Sequence, residues 1–201
     1  MSLAKGFRLI EERLLSRDWG ILKKTRIAWR GRDGGWEAHW RETYDAGDGV
    51  VVLPYDRDRR CVLLVRQFRY PAHAAGEPPI LIEAAAGKLD GADPETRARA
   101  EAEEELGLRL GPLEPLWTLF STPGSVTERL HYFVTPYVPS DRVGPGGGAA
   151  GEGEELEVLE MAFGDAMAAV GSGEIRDAKT VLLLQHAALT IFAASADGAS
   201  A

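Results

Sequence analysis

Four glutamates crowd into five residues: Glu101, Glu103, Glu104 and Glu105. On a helix turning about 100° per residue, Glu101, Glu104 and Glu105 share one arc of about 100°, and Glu103 points away. Ala98, Ala102 and Leu106 form the adjoining stripe, suited to packing on a sheet. Like-charged neighbours on a helix each cost a few tenths of a kcal/mol. These glutamates also occupy the last turns, where the helix dipole opposes negative charge. One reading is a solvated acidic face. The other is a site for a compensating cation, and hard carboxylate oxygens suit Mg²⁺, which binds phosphates alongside them.

The elements that must position this cluster are legible around it. Asp93-Pro94 starts a helix, with Asp as N-cap and Pro at the first helical position, and Gly107 ends it. Upstream, Asp33-Gly34-Gly35 marks a hairpin turn between strands at 19–29 and 36–44. Strands at 50–55 and 61–68 flank a charged turn, and the run Val62-Leu63-Leu64-Val65 is apolar on both faces, as in a central strand. Ile80-Leu81-Ile82 is a short strand leading into a turn of small residues, Ala84-Ala85-Ala86-Gly87. Strands are expected at 113–119, 130–137 and 156–161, and helices at 163–170 and 178–194. Ser121-Thr122-Pro123-Gly124-Ser125 is a loop. Residues 144–153 hold six glycines. They read either as a flexible linker or as a mobile loop inside one domain.

At 201 residues, 45% apolar and 27% charged, the chain has the make-up of one globular domain with a small appendage. Its formal net charge of −8 argues against nucleic acid as a partner. It admits a polyanionic small molecule only together with divalent cations. No stretch has the length and apolarity of a membrane span, and no leader-like segment is recognisable, so neither membrane attachment nor export is expected. A single cysteine, Cys61, forms no intrachain disulfide, which fits a reducing, cytoplasmic setting.

The segment from Gly87 to Leu108 resembles the Nudix box, and its Glu101-Ala102-Glu103-Glu104-Glu105-Leu106-Gly107-Leu108 end matches fully. Two positions depart from that pattern. The loop is one residue short, which puts Ala92 or Asp93 where a mid-loop glutamate stands. Ala100 replaces the arginine that orients the glutamates; Arg97, one turn upstream of Glu101, is the physical substitute. Further stretches carry the resemblance towards the GDP-mannose hydrolase branch, beside the ADP-ribose pyrophosphatases: Arg66-Gln67-Phe68-Arg69, Glu83-Ala84-Ala85-Ala86-Gly87, residues 121–128 and residues 173–180. The resemblance implies an α/β fold, a Nudix-type α/β/α sandwich with a mixed sheet and an N-terminal antiparallel β extension. It divides the chain into residues 1–45 for the extension and dimerisation, 46–195 for the hydrolase domain and 196–201 for a disordered tail.

The implied activity is Mg²⁺-dependent hydrolysis of a nucleoside diphosphate sugar resembling GDP-mannose, with Mn²⁺ as the alternative ion. Its products are a nucleoside monophosphate and a sugar 1-phosphate. ADP-ribose hydrolysis and a non-catalytic nucleotide-sugar-binding module are the competing readings. The resemblance places the metal on Glu101, Glu105, the Ala86 carbonyl and Glu154, with Glu104 as ligand or close partner. Glu154, at the end of the glycine stretch beside Glu152 and Glu155, is the implied general base. Substrate contacts fall to Arg69 and Lys179 for phosphate, Ala86, Gly87 and Lys88 of the box loop, and Glu128 for sugar hydroxyls. Trp40, Arg41 and Glu42 match the nucleotide-binding strand, and Trp19 stacks on the base from the second subunit of a homodimer. The histidines His39, His73, His131 and His186 show no ligand spacing.

Overall fold

A computed structural model of the chain describes residues 6–31, 33–148 and 155–193. Their contacts divide into two compact units, one drawn from Met1–Asp48 with Leu119–Leu130, the other from Gly49–Thr118 with His131–Ala201. The expected tail lies outside the described residues, because they end at 193.

The first unit is built on an antiparallel sheet in the order β1 (Phe7–Arg17), β2 (Ile21–Arg30) and β3 (Trp36–Asp45). The β2–β3 turn falls at the expected glycines. Asp33 accepts a hydrogen bond from the Gly35 amide at 2.9 Å, and Gly34 adopts a φ of +85°. Strand β1 was not expected. Its register against β2 shifts between Leu9 and Glu11 and again between Leu14 and Ser16. Each bulge inserts a residue and breaks the two-residue alternation that marks a strand in sequence. Phe7, Leu9, Ile10, Leu14 and Leu15 of β1 are all exposed. The loop at 121–128 joins β3 through the Tyr44 amide, which donates to the Ser125 carbonyl at 2.9 Å.

The second unit is a sandwich around a seven-stranded mixed sheet. In chain order its elements are β4 (Gly49–Asp56), β5 (Cys61–Phe68), α1 (Tyr70–Ala74), β6 (Ile80–Glu83), β7 (Ala85–Lys88), α2 (Pro94–Leu106), β8 (Glu114–Phe120), β9 (Arg129–Pro136), β10 (Leu156–Ala162), α3 (Phe163–Ser172) and α4 (Ala178–Thr190). The sheet runs β10-β5-β4-β9-β8, with β6 paired to β5 and β7 to β4. Val50 and Val52 of β4 and Cys61, Leu63 and Val65 of β5 pack on Ala98, Ala102 and Leu106 of α2. The alternate residues Val51, Leu53, Val62 and Leu64 face the opposite side and are equally buried. Helices α3 and α4, which contact β5 and β4, cover that side. Two alanines on the buried stripe of α2 let its backbone lie close to the sheet, which brings its glutamates level with β7. The expected turn at Ala84–Gly87 is instead mostly strand: Val51 pairs with Ala86 and Val50 with Gly87.

Candidate active site

Helix α2 starts and ends on the expected caps. The Asp93 carboxylate accepts from the amides of Glu95 at 3.0 Å and Thr96 at 3.2 Å, so its negative charge serves the helix start. Gly107 takes the left-handed conformation that closes the helix. Along α2, Glu101 and Glu105 lie one turn apart and are buried, at 4% and 3% exposure. Glu103 and Glu104 remain exposed.

Strand β7 runs along this acid pair. The Ala86 amide donates to Glu105 Oε2 at 3.1 Å. Glu101 lies directly against Gly87, where an added Cβ would stand 1.6 Å from its Oε1. Arg97 completes the arrangement. Its Nη2 pairs with Glu101 and comes within 3.7 Å of Glu104, while its Nε donates to the Lys88 carbonyl at 3.0 Å. Position 100 carries no arginine, and Arg97, one turn earlier, contacts Glu101 and Glu104. The structure brings Ala86, Gly87, Lys88, Glu101 and Glu105 together.

Among the described residues no cluster of three or more His, Cys, Asp or Glu side chains could hold a metal. Two buried carboxylates beside a bare glycine backbone nevertheless fit a hard cation. Mg²⁺ is commonly held by one or two carboxylates together with waters and substrate phosphates. The lack of a side chain at Gly87 gives the Glu101 carboxylate room to lie against the strand backbone.

A second polar centre joins two more of the expected residues. Arg69 donates from Nε and Nη2 to the two oxygens of Glu83, at 2.8 and 3.0 Å, and Lys179 pairs with Glu83 from the start of α4. Lys179 also reaches Asp177 at 2.9 Å, and Thr180 donates to Asp177 while accepting from the Ala84 amide at 2.7 Å. Glu83 is 1% exposed. Burial alone would raise its pKa, but the Arg69 hydrogen bonds and the Lys179 charge outweigh burial and hold it at about 2. Burial likewise works against the Arg69 charge, and Glu83 overcomes it, leaving the guanidinium pKa raised. Sequence reasoning passed over Glu83. Its signal was an acid at the end of the apolar run Ile80-Leu81-Ile82, a place where a charge must be paired.

The remaining expected residues belong to the first unit or lie outside the described residues. Trp19 sits in the bend between β1 and β2 and is 73% exposed, so it is not a buried strand aromatic. Trp40 and Glu42 share one face of β3 and Arg41 takes the other. Trp40 lies beneath Arg13, with the guanidinium 4.9 Å from the ring centre, and Glu42 pairs with Lys24 at 3.3 Å. Arg41 stands over Trp29 at 5.0 Å. Glu128 is half-buried and its carbonyl accepts from the Ser121 amide at 3.2 Å. Glu152 and Glu154 lie outside the described residues, and Glu155 is exposed just before β10.

The model of the NUDIX domain matches residues 45–184, and that of the GDP-mannose pyrophosphatase NudK N-terminal domain matches residues 7–44. The chain is similar to the GDP-mannose pyrophosphatase of Cronobacter sakazakii, 45% identical over 92% of this chain and 96% of that protein. It is also similar to the proteins of that name from Pectobacterium atrosepticum, 45% identical over 89% and 92% of the two chains, and Klebsiella pneumoniae, 40% identical over 92% of each. Among solved structures, the crystal structure of an ADP compounds hydrolase overlays with a TM-score of 0.71, covering 92% of this chain and 93% of that one. At 16% identity that likeness is one of fold.

Proposed function

The chain belongs to the Nudix family of hydrolases, and from that premise we propose how it works: it hydrolyses the pyrophosphate bond of a nucleotide sugar, and the sugar nucleotide is GDP-mannose. The observation that carries the reading is the buried pair Glu101 and Glu105 packed on Ala86 and Gly87. The relatives at 40–45% identity supply the choice of GDP-mannose over ADP-ribose. A module that only binds has no use for two buried carboxylates held side by side, Glu101 by Arg97 and Glu105 by the Ala86 amide.

In this mechanism Glu101 and Glu105, with the Ala86 carbonyl, hold a divalent cation, Mg²⁺ or Mn²⁺, with Glu104 beside them. When bound, such an ion would supply positive charge against the pyrophosphate and make the attacking water more acidic. Arg69 and Lys179 hold phosphate oxygens, Arg69 by its planar fork and Lys179 as a point charge, and Glu83 keeps both cations in place. Glu154 takes the proton from the attacking water. The water oxygen bonds to one phosphorus, the bridging oxygen leaves on the other phosphate, and GMP and mannose 1-phosphate result. Trp40, Arg41 and Glu42 take the nucleotide, Glu128 the sugar hydroxyls, and Gly87 and Lys88 the box-loop contact.

Two further parts of the reading rest on single observations. The exposed apolar side chains of β1 support a homodimer, in which Trp19 stacks on the base bound by the other subunit. Sedimentation at micromolar concentration would then give twice the 21.8 kDa chain mass, and a monomer would reject it. The free, buried Cys61 supports a reducing, cytoplasmic setting.

Phosphate released through an added phosphatase tests the reaction, because the monoester products are cleaved and the intact diphosphate is not. A panel of GDP-mannose, other nucleotide sugars and ADP-ribose, with and without Mg²⁺, is expected to give its largest signal with GDP-mannose and Mg²⁺. Preference for ADP-ribose overturns the substrate. Absence of release from every compound overturns the enzyme.

A further inference from the structure

The glycine stretch is tied down over its first half. The Gly147 amide donates to the Glu105 carbonyl at 2.9 Å and the Gly148 amide to the Glu104 carbonyl at 3.1 Å. The Leu156 amide, at the start of β10, returns to the Gly147 carbonyl at 3.2 Å. The chains meet backbone to backbone. A Cβ on Gly146 would stand 2.4 Å from the Glu105 carbonyl oxygen and 2.7 Å from the Leu106 carbonyl carbon, and Gly146 has a φ of +68°. No side chain fits there without moving main chain.

We propose that Gly146–Gly148 is a positioning strap for the last turn of α2, holding Glu104 and Glu105 in the register at which they meet a cation. The last carbonyls of a helix have no partner within the helix, and they carry its negative end. Here two of them, belonging to the acid residues themselves, receive strap amides. Glu105 is thereby fixed from both sides: its carbonyl by Gly147 and its carboxylate by Ala86. Frayed, that turn would let the carboxylate swing away from Glu101. The inference rests on the reading that Glu101 and Glu105 hold a divalent cation.

The test compares Gly146→Ala with Gly144→Ala, whose Cβ meets nothing within 4 Å. Melting temperature against Mg²⁺ concentration gives the half-saturation for each, and steady-state kinetics give kcat and KM. Gly146→Ala is expected to melt cooperatively without metal, need at least tenfold more Mg²⁺ for half its shift, and lose kcat with little change in KM. Gly144→Ala should follow the parent in all three. A Gly146→Ala protein with the parent's half-saturation and kcat overturns the strap while the cation reading stands. A parent whose melting ignores Mg²⁺ overturns the cation reading and the strap with it. Should Gly146→Ala fail to fold, amide exchange in the parent decides. Saturating Mg²⁺ should slow exchange of the Gly147 and Gly148 amides, and unchanged exchange overturns the strap.

Discussion

Glu101 occupies the space a side chain at position 87 would need: a Cβ on Gly87 would lie 1.6 Å from Glu101 Oε1 and 2.1 Å from its carboxyl carbon. Gly87 is not among the residues with positive φ, so the constraint is the carboxylate and not the backbone. Gly87→Ala is therefore expected to displace Glu101 specifically. Overpacking of this kind costs about 1–3 kcal/mol, and misplacing a reacting group by about 1 Å lowers turnover roughly 10²-fold. The Mg²⁺-induced rise in melting temperature should shrink with it. A variant with undiminished shift and turnover would mean that Glu101 does not meet the cation.

Arg97 spans Glu101 and the Lys88 carbonyl, and reaching both calls for two nitrogens of one guanidinium. An ammonium offers one nitrogen, so Arg97→Lys should fall between the parent and Arg97→Gln. Partners that orient metal ligands are typically worth 10–100-fold in affinity or activity, and Arg97→Gln is expected in that range for Mg²⁺ half-saturation. Adding Ala100→Arg to Arg97→Gln should recover part of the loss, since position 100 carries the orienting arginine in the box pattern. A parent-like Mg²⁺ response in Arg97→Gln alone would remove Arg97 from the site.

Glu83 links acidity to stability. Its carboxyl titrates at about 2 in the folded protein against an ordinary value of 4.5. The folded state thus binds the proton less readily than the unfolded chain. The stabilisation is complete above about pH 5 and is lost as pH falls from there through 2, and amounts to roughly 3 kcal/mol at neutral pH. Glu83→Gln should lower the melting temperature at pH 7 by roughly 6–12 °C for a chain of this length, and flatten its fall between pH 5 and 2. An acid limb as steep in the variant as in the parent would assign that fall to other carboxylates.

What was legible in the sequence was local. Asp93-Pro94 and Gly107 announce α2 because caps act within a few residues, and the apolar runs of β4 and β5 announce a sheet covered on both faces. What was hidden is long-range or irregular. The partners of Glu83 lie 14 and 96 residues away, so nothing near it reports its pairing. The bulges in β1 scramble the alternation that reveals a strand. Glycine composition at 144–153 reads as flexibility, and only the approach of Gly146 to the Glu105 carbonyl shows that part of it is a contact.

The glutamates that follow the strap remain to be ranked as bases, and single substitutions separate them. Leu156 is anchored to the Gly147 carbonyl, hence to the end of α2. Glu154, two residues before that anchor, is the base the Nudix resemblance implies, and a general base must come within hydrogen-bond reach of its water. Glu154→Gln is accordingly expected to lower kcat by roughly 10²–10⁴, the usual contribution of a positioned base, with a much smaller change in KM because Arg69 and Lys179 hold the phosphates. Glu152→Gln and Glu155→Gln carry the same charge change and should be mild, which excludes a general electrostatic effect. Steady-state kinetics on all three with GDP-mannose and Mg²⁺ give the ranking. If Glu155→Gln is the crippled variant, the base is the adjacent residue, and the mechanism stands with the proton acceptor one residue on. If all three turn over at the parent's rate, no glutamate of this loop takes the proton, and Glu104 and Glu128 become the residues to mutate next.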